Sequence, residues 1–194
     1  ESNRRWIESS LKEVERLIPA VYRQWPPRRL NIDALSEVWH LSYLSDSPIN
    51  SSISTNADNE QMLSLCAEPL DKGAVAAEIA ERLIASARDV LPPMLAEHAA
   101  RHGLKYSKVQ VRGQRSVWGS YSSTGTLSLN YKLLFLPLEL VDYVLLHELA
   151  HTLHLDHSAK FWRQLEEFHP DARALDKRLT KAGRDVPPWL ELAR

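Results

Sequence analysis

The sequence predicts an α+β domain in which a small antiparallel sheet packs against one buried helix, preceded by an N-terminal helical extension. Three features of the 194-residue chain point there. Residues 138–153 are apolar on nearly every side, the pattern of a helix enclosed by protein. Just before them, short segments alternate polar and apolar residues around a turn, as half-buried strands do. At the other end, residues 2–18 repeat apolar residues at helical spacing between charges.

Taken in order, Ile7, Leu11, Val14, Leu17 and Ile18 give residues 2–18 one apolar face. Pro19 and the Pro26-Pro27 pair stop this helix and open a linker, so residues 1–27 read as an extension and 28–194 as the main domain. Residues 37–44 (EVWHLSYL) and 62–67 (MLSLCA) alternate as strands; the polar residues 45–59 between them read as a loop. Residues 71–91 form a helix rich in Ala, Glu, Arg and Leu. Pro92-Pro93 is expected to kink or break it, with 94–102 continuing to a cap at Gly103. Residues 105–112, 116–122 and 126–131 alternate, and Ser123-Thr124-Gly125 is a turn, so the last two segments pair antiparallel. The buried helix follows Pro137, with shorter helices over 158–168 and 171–182.

Composition narrows the function classes. Lys and Arg number 24 against 25 Asp and Glu, with no long run of either sign. A basic stripe for nucleic acid is therefore missing, and no nucleic-acid partner is expected. No apolar run approaches the roughly 18–20 residues that cross a bilayer, so no membrane partner is expected either. The amphipathic N-terminus does not read as a signal peptide. The single cysteine, Cys66, cannot form an internal disulfide and suits a reducing compartment, so the expected location is cytoplasmic.

The chemistry concentrates in His147-Glu148-Leu149-Ala150-His151, inside the buried helix. Four helical residues turn the chain through about 400°, which leaves His147 and His151 about 40° apart, one turn above the other. Two imidazoles so placed reach one ion at about 2.0–2.1 Å. Glu148 points about 100° away, badly placed as a ligand and well placed to take a proton from a water polarised by that ion. A chance match to this pattern arises in roughly one or two chains per hundred of this composition. Burying two imidazoles and a carboxylate in an apolar helix without partners is costly, however, and a metal removes that cost. Catalytic zinc usually keeps three protein ligands. His157, ten residues after His147, is the preferred third if the chain turns sharply after Leu153, with Asp156 as a left-handed turning residue. His154 or a later carboxylate, Glu166 or Glu167, are the alternatives. His40, His98, His102 and His169 read as surface or loop residues.

The stretches VRGQRSVWGSYSSTGTLSLNYKLLFLP and VDYVLLHELAHTLHLDHSAKFWRQLEEFHPDA closely resemble the YgjP-like metallopeptidase domain family, relatives of the SprT-like and WLM zinc proteases. The resemblance runs over residues 105–179, through Trp118-Gly119-Ser120, Leu129-Asn130, the helix motif, residues 156–162 and Pro170. It implies a zincin-like α+β fold and a zinc metallopeptidase that binds one zinc ion per chain through His147, His151 and His157. Two departures stand out: Tyr121 where the family commonly has Cys, and Asp156 where Asn is usual. Neither touches a proposed ligand. With Glu148 as general base, the expected reaction is hydrolysis of a peptide or protein substrate. Trp118, Gly119, Ser120, Tyr121 and Arg115 are the candidate substrate-binding residues, and an extended peptide is expected to add as a strand beside residues 117–121. Tyr121 reads first as a packing or solvent-facing residue, with a contact from Tyr121 or Arg115 to a developing oxyanion as the alternative. The rival readings are a zinc-stabilised protein-binding module and a hydrolase of non-peptide amides or esters.

Overall fold

The computed structural model describes residues 19–44, 52–56, 58 and 60–193; the expected helix over 2–18 and part of the expected loop over 45–59 lie outside them. Seven strands and four α-helices are present among the described residues, a mixed α+β fold as expected. The strands are β1 (Arg29–Ile32), β2 (Glu37–Tyr43), β3 (Ser52–Thr55), β4 (Gln61–Leu65), β5 (Lys108–Arg112), β6 (Gly119–Tyr121) and β7 (Thr126–Asn130). The helices are α1 (Lys72–His102), α2 (Leu138–Ala150), α3 (Ala159–Phe168) and α4 (Ala172–Ala182). They divide into two compact units, one of residues up to Leu30, Val38–Glu78 and Ala182 onwards, the other of Asn31–Glu37 and Ile79–Lys181.

The first unit holds most of a four-stranded sheet of order β1-β2-β4-β3. β2 and β4 run parallel, and their alternation puts Trp39, Leu41, Leu63 and Leu65 on the buried face. β3, inside the segment expected to be a loop, pairs antiparallel with β4. All four of its residues are exposed, so no burial pattern marks this strand in the sequence. The Glu78 carboxylate accepts from the amides of Cys66 (2.9 Å) and Ala67 (2.8 Å) where β4 ends.

The second unit carries a three-stranded sheet of order β5-β7-β6. It is mixed rather than antiparallel: β6 and β7 form the expected antiparallel pair, but β5 lies parallel to β7 on its other side. The alternation that reveals a strand carries no sign of its direction, and β7, in the middle, satisfies both neighbours. Leu127 and Leu129 are fully buried, as are Leu133, Leu134 and Leu136 in the tight turns leading to α2. α2 is buried over nine of its thirteen residues, which is why its sequence is apolar all round.

The expected break at Pro92-Pro93 does not occur; α1 runs through both. Each interior proline costs about 3 kcal/mol and leaves the carbonyl four residues earlier without a donor. Those carbonyls belong to Arg88 and Asp89, both exposed, so water can serve them. Meanwhile Ile79, Leu83, Ala87, Leu91, Leu95, His98 and Ala99 bury one continuous stripe across the prolines. Gly103, with φ +65°, ends the helix, and the Leu104 amide turns back onto the Ala99 carbonyl (2.8 Å).

Candidate metal centre

Burial of α2 fixes the direction of its last turn, and with it three polar side chains. His147 and His151 share one face, their ring centroids 5.0 Å apart. The helix ends at His151: the amides of Leu153 and His154 both return to the Ala150 carbonyl (3.0 Å each), closing the last turn tightly. The chain then reverses. Asp156 does this without a left-handed backbone; its Oδ1 accepts the Ser158 amide at 3.1 Å. The reversal returns His157 to the end of α2, with its ring 5.0 Å from His147 and 4.8 Å from His151. Phe161, fully buried on α3, lies against all three imidazoles at 4.6 to 4.9 Å.

The donor atoms of His147, His151 and His157 all lie within 4.8 Å of one another, and the Nε2 atoms of His147 and His157 are 3.0 Å apart. Tetrahedral zinc with bonds of about 2.0–2.1 Å spaces its ligands about 3.3 Å apart, inside that range. The electrostatics suit a cation as well. Burial, reinforced by the neighbouring His151 and His157, pushes His147 down to about 3. Burial also lowers His151, although the His154 carbonyl at its Nδ1 pulls the other way. Both imidazoles are therefore neutral near pH 7, the form that binds metal. No other group of three or more such side chains with this geometry occurs among the described residues.

The Nδ1 atoms of His147 and His151 both have partners. His151 Nδ1 lies 2.9 Å from the His154 carbonyl, an acceptor only, so it donates and leaves Nε2 free. His147 Nδ1 lies 3.3 Å from the Tyr143 hydroxyl, which in turn donates to Asp176 Oδ1 at 3.0 Å. Burial and the Asp176 carboxylate raise the Tyr143 hydroxyl far above its ordinary range, so it stays protonated.

Glu148 faces the other wall. Its residue is buried, its Oε2 has no hydrogen-bond partner, and burial pushes its carboxyl up to about 8. β6 passes so close that a Cβ on Gly119 would stand 2.7 Å from both Cγ and Oε1 of Glu148. Asn130 fixes this wall: its Nδ2 donates to the carbonyls of Gln114 and Val117 (2.8 Å each), and its amide donates to Trp118 O (2.9 Å).

Between the walls lies a cleft of about 430 Å3. Residues 116–121 line one side, the three histidines and Glu148 the floor, and Val144, Leu155 and Leu179 supply apolar surface. Of the sequence-derived candidates, Trp118, Gly119, Ser120 and Tyr121 therefore face the cleft. Arg115 is exposed and is not among the lining residues. The side chain of His154 is not in the cluster, which uses its carbonyl instead. Glu166 pairs with Arg173, and Glu167 accepts from Gln164 at 2.9 Å. The other histidines differ from the surface reading in one case. His98 is buried on α1 with its Nε2 2.8 Å from Asp142 Oδ1, while His102 stacks near Phe168 and His40 lies 3.6 Å from Glu60.

Sequence reasoning passed over Tyr143, Asp176 and Phe161. Tyr143 stands four residues before His147, so helical spacing alone places it on the same face. Asp176 belongs to a separate helix and carries no such signal.

Three imidazoles around one point beside a buried carboxylate, on an α+β scaffold, are the furniture of a metal-dependent peptidase. The chain belongs to the YgjP-like metallopeptidase domain family, whose model matches residues 1–182. Among solved structures it is similar to the metallopeptidase zymogen of Pyrococcus abyssi abylysin, at 28% identity over 47% of this chain and 92% of that one, with a TM-score of 0.43. It is also similar to the metallopeptidase zymogen of Methanocaldococcus jannaschii jannalysin, at 21% identity over 47% of this chain and 94% of that one, with a TM-score of 0.42. No curated protein matches the chain. No helix among the described residues is long and apolar enough to cross a membrane.

Proposed function

We infer that this metallopeptidase is a zinc enzyme of zincin-like design, with one ion held by His147, His151 and His157 and Glu148 as the general base. The convergence of three imidazoles on one point carries this reading. When bound, zinc supplies Lewis acidity that polarises a carbonyl and brings the pKa of a water towards about 7.

The chain's own residues supply the rest. Glu148 holds an unpartnered carboxylate oxygen against the cleft, ready to accept a proton from the attacking water and to pass it to the departing amine. Its raised pKa belongs to the metal-free site; a divalent cation alongside favours the ionised base. β6 is an edge strand that lines the cleft, so an extended peptide can add to it and lie across the histidines. Trp118, Gly119, Ser120 and Tyr121 then form the substrate wall.

The test is hydrolysis of a quenched fluorescent peptide library by the zinc-loaded protein and its Glu148→Gln variant. Loss of at least 100-fold in Glu148→Gln with zinc retained is expected. Equal hydrolysis by both would remove the base. Bound zinc without hydrolysis of any peptide would point instead to a zinc-stabilised binding module.

A further inference from the structure

We propose that Tyr143 and Asp176 are positioning residues of the metal centre, acting together to hold His147 in the one tautomer that can bind the ion. The inference rests on the zinc reading above. A neutral imidazole carries its proton on one nitrogen only, and the ligating nitrogen must be the bare one. His147 turns Nε2 towards His157, at 3.0 Å, and Nδ1 towards Tyr143. Its Nδ1 must therefore carry the proton.

Tyr143 alone does not enforce this. A phenol hydroxyl both donates and accepts, and if it donated to Nδ1 the proton of His147 would be driven to Nε2, where it would block the metal. Asp176 decides the direction. Its carboxylate only accepts, and its Oδ1 lies 3.0 Å from the same hydroxyl. The hydroxyl proton goes to Asp176, so towards His147 the oxygen has only lone pairs to offer, and Nδ1–H donates into them. The carboxylate on α4 thus sets the proton position on a ring it does not touch. His151 needs no such relay, because its Nδ1 faces a backbone carbonyl that cannot donate.

Tyr143 is fully buried one turn before His147, its ring centroid 5.8 Å away, so Tyr143→Phe keeps the ring packing and deletes the hydroxyl that accepts from His147 and donates to Asp176. In Asp176→Asn the carboxamide can donate as well as accept, which releases the hydroxyl to point either way.

The experiment combines zinc affinity, measured by competition with a chromophoric chelator, with 15N NMR of the His147 ring in the metal-free protein. The parent, Tyr143→Phe, Asp176→Asn, the double variant and His147→Ala are compared. Each single variant is expected to bind zinc about 10- to 100-fold more weakly, as losses of ligand-orienting partners generally do. The double variant should be no weaker than Tyr143→Phe, since both act through one chain of bonds. In the parent the ring should show the Nδ1–H form, and in Asp176→Asn the Nε2–H form should appear. Affinities within twofold of the parent together with an unchanged tautomer in both single variants would overturn the relay alone. Zinc binding unaffected in His147→Ala would overturn the metal reading and the relay with it.

Discussion

Gly119→Ala should separate the metal from the base. An added Cβ would stand 2.7 Å from Glu148 Cγ and Oε1 and 2.8 Å from Cδ, whereas ordinary contact begins near about 3.5 Å. The two groups must therefore part by about 0.8 Å. The atoms struck belong to a side chain, which can swing, rather than to backbone. Stability should fall by only about 1 kcal/mol, at the low end of overpacking costs. The carboxylate, however, is displaced from where it meets the water, and a misplacement of about 1 Å costs on the order of 100-fold in rate. The expected result is a fall of about 30- to 100-fold in kcat/KM for a peptide of the library, with zinc affinity within threefold of the parent. Steady-state kinetics, chelator competition and thermal melts read the three quantities. Unchanged kinetics would refute the close approach of β6 to Glu148, and loss of zinc would show that β6 supports the ligands instead.

The metal-free protein should respond to pH through the same carboxyl. Burial raises Glu148 from 4.5 to about 8 in the fold, so its stabilising contribution is complete below about 4.5 and is lost as pH rises through about 8. A falling Tm across that window in the parent, but not in Glu148→Gln, is expected. His147, lowered to about 3, works in the opposite sense: its contribution is complete above 6.5 and is lost as pH falls towards about 3, a slope that His147→Ala should remove in the metal-free protein. Phe161→Ala removes the ring on which all three imidazoles rest; it should cost about 3–5 kcal/mol in denaturant unfolding, and the zinc affinity of the folded fraction should drop as well. Asp142→Ala leaves His98 buried without its 2.8 Å partner and should cost about 2 kcal/mol in the same assay, with zinc affinity unchanged.

The parts of this architecture that were readable in the sequence are those where burial writes a period into the chain. α2 announced itself by being apolar all round, and its helical spacing put His147 and His151 on one face. The strands β2, β4 and β6 showed alternation because one face of each is more covered than the other, whereas β7 is buried on both faces and alternates only because Ser128 and Asn130 are buried polar residues. β3 showed none because neither face is covered, and β5 gave no sign of its direction. The prolines of α1 predicted a break from local backbone rules, and the buried stripe on both sides of them outweighed those rules. Spacing favoured His157 only on condition of a sharp turn. The turn is there, but it is made by the Asp156 side chain rather than by a left-handed backbone. Asp176 and Gly119 act through space, one on the Tyr143 hydroxyl and the other by what its missing Cβ leaves open beside Glu148, and neither role has a linear signature.

The central claim is most directly tested by zinc content and affinity in four single variants, His147→Ala, His151→Ala, His157→Ala and His154→Ala. The account predicts one zinc per chain in the parent and in His154→Ala, whose ligand-side role is a backbone carbonyl, and at least a 100-fold loss of affinity in each of the other three. Zinc lost in His154→Ala, or kept in His157→Ala, would contradict the ligand set.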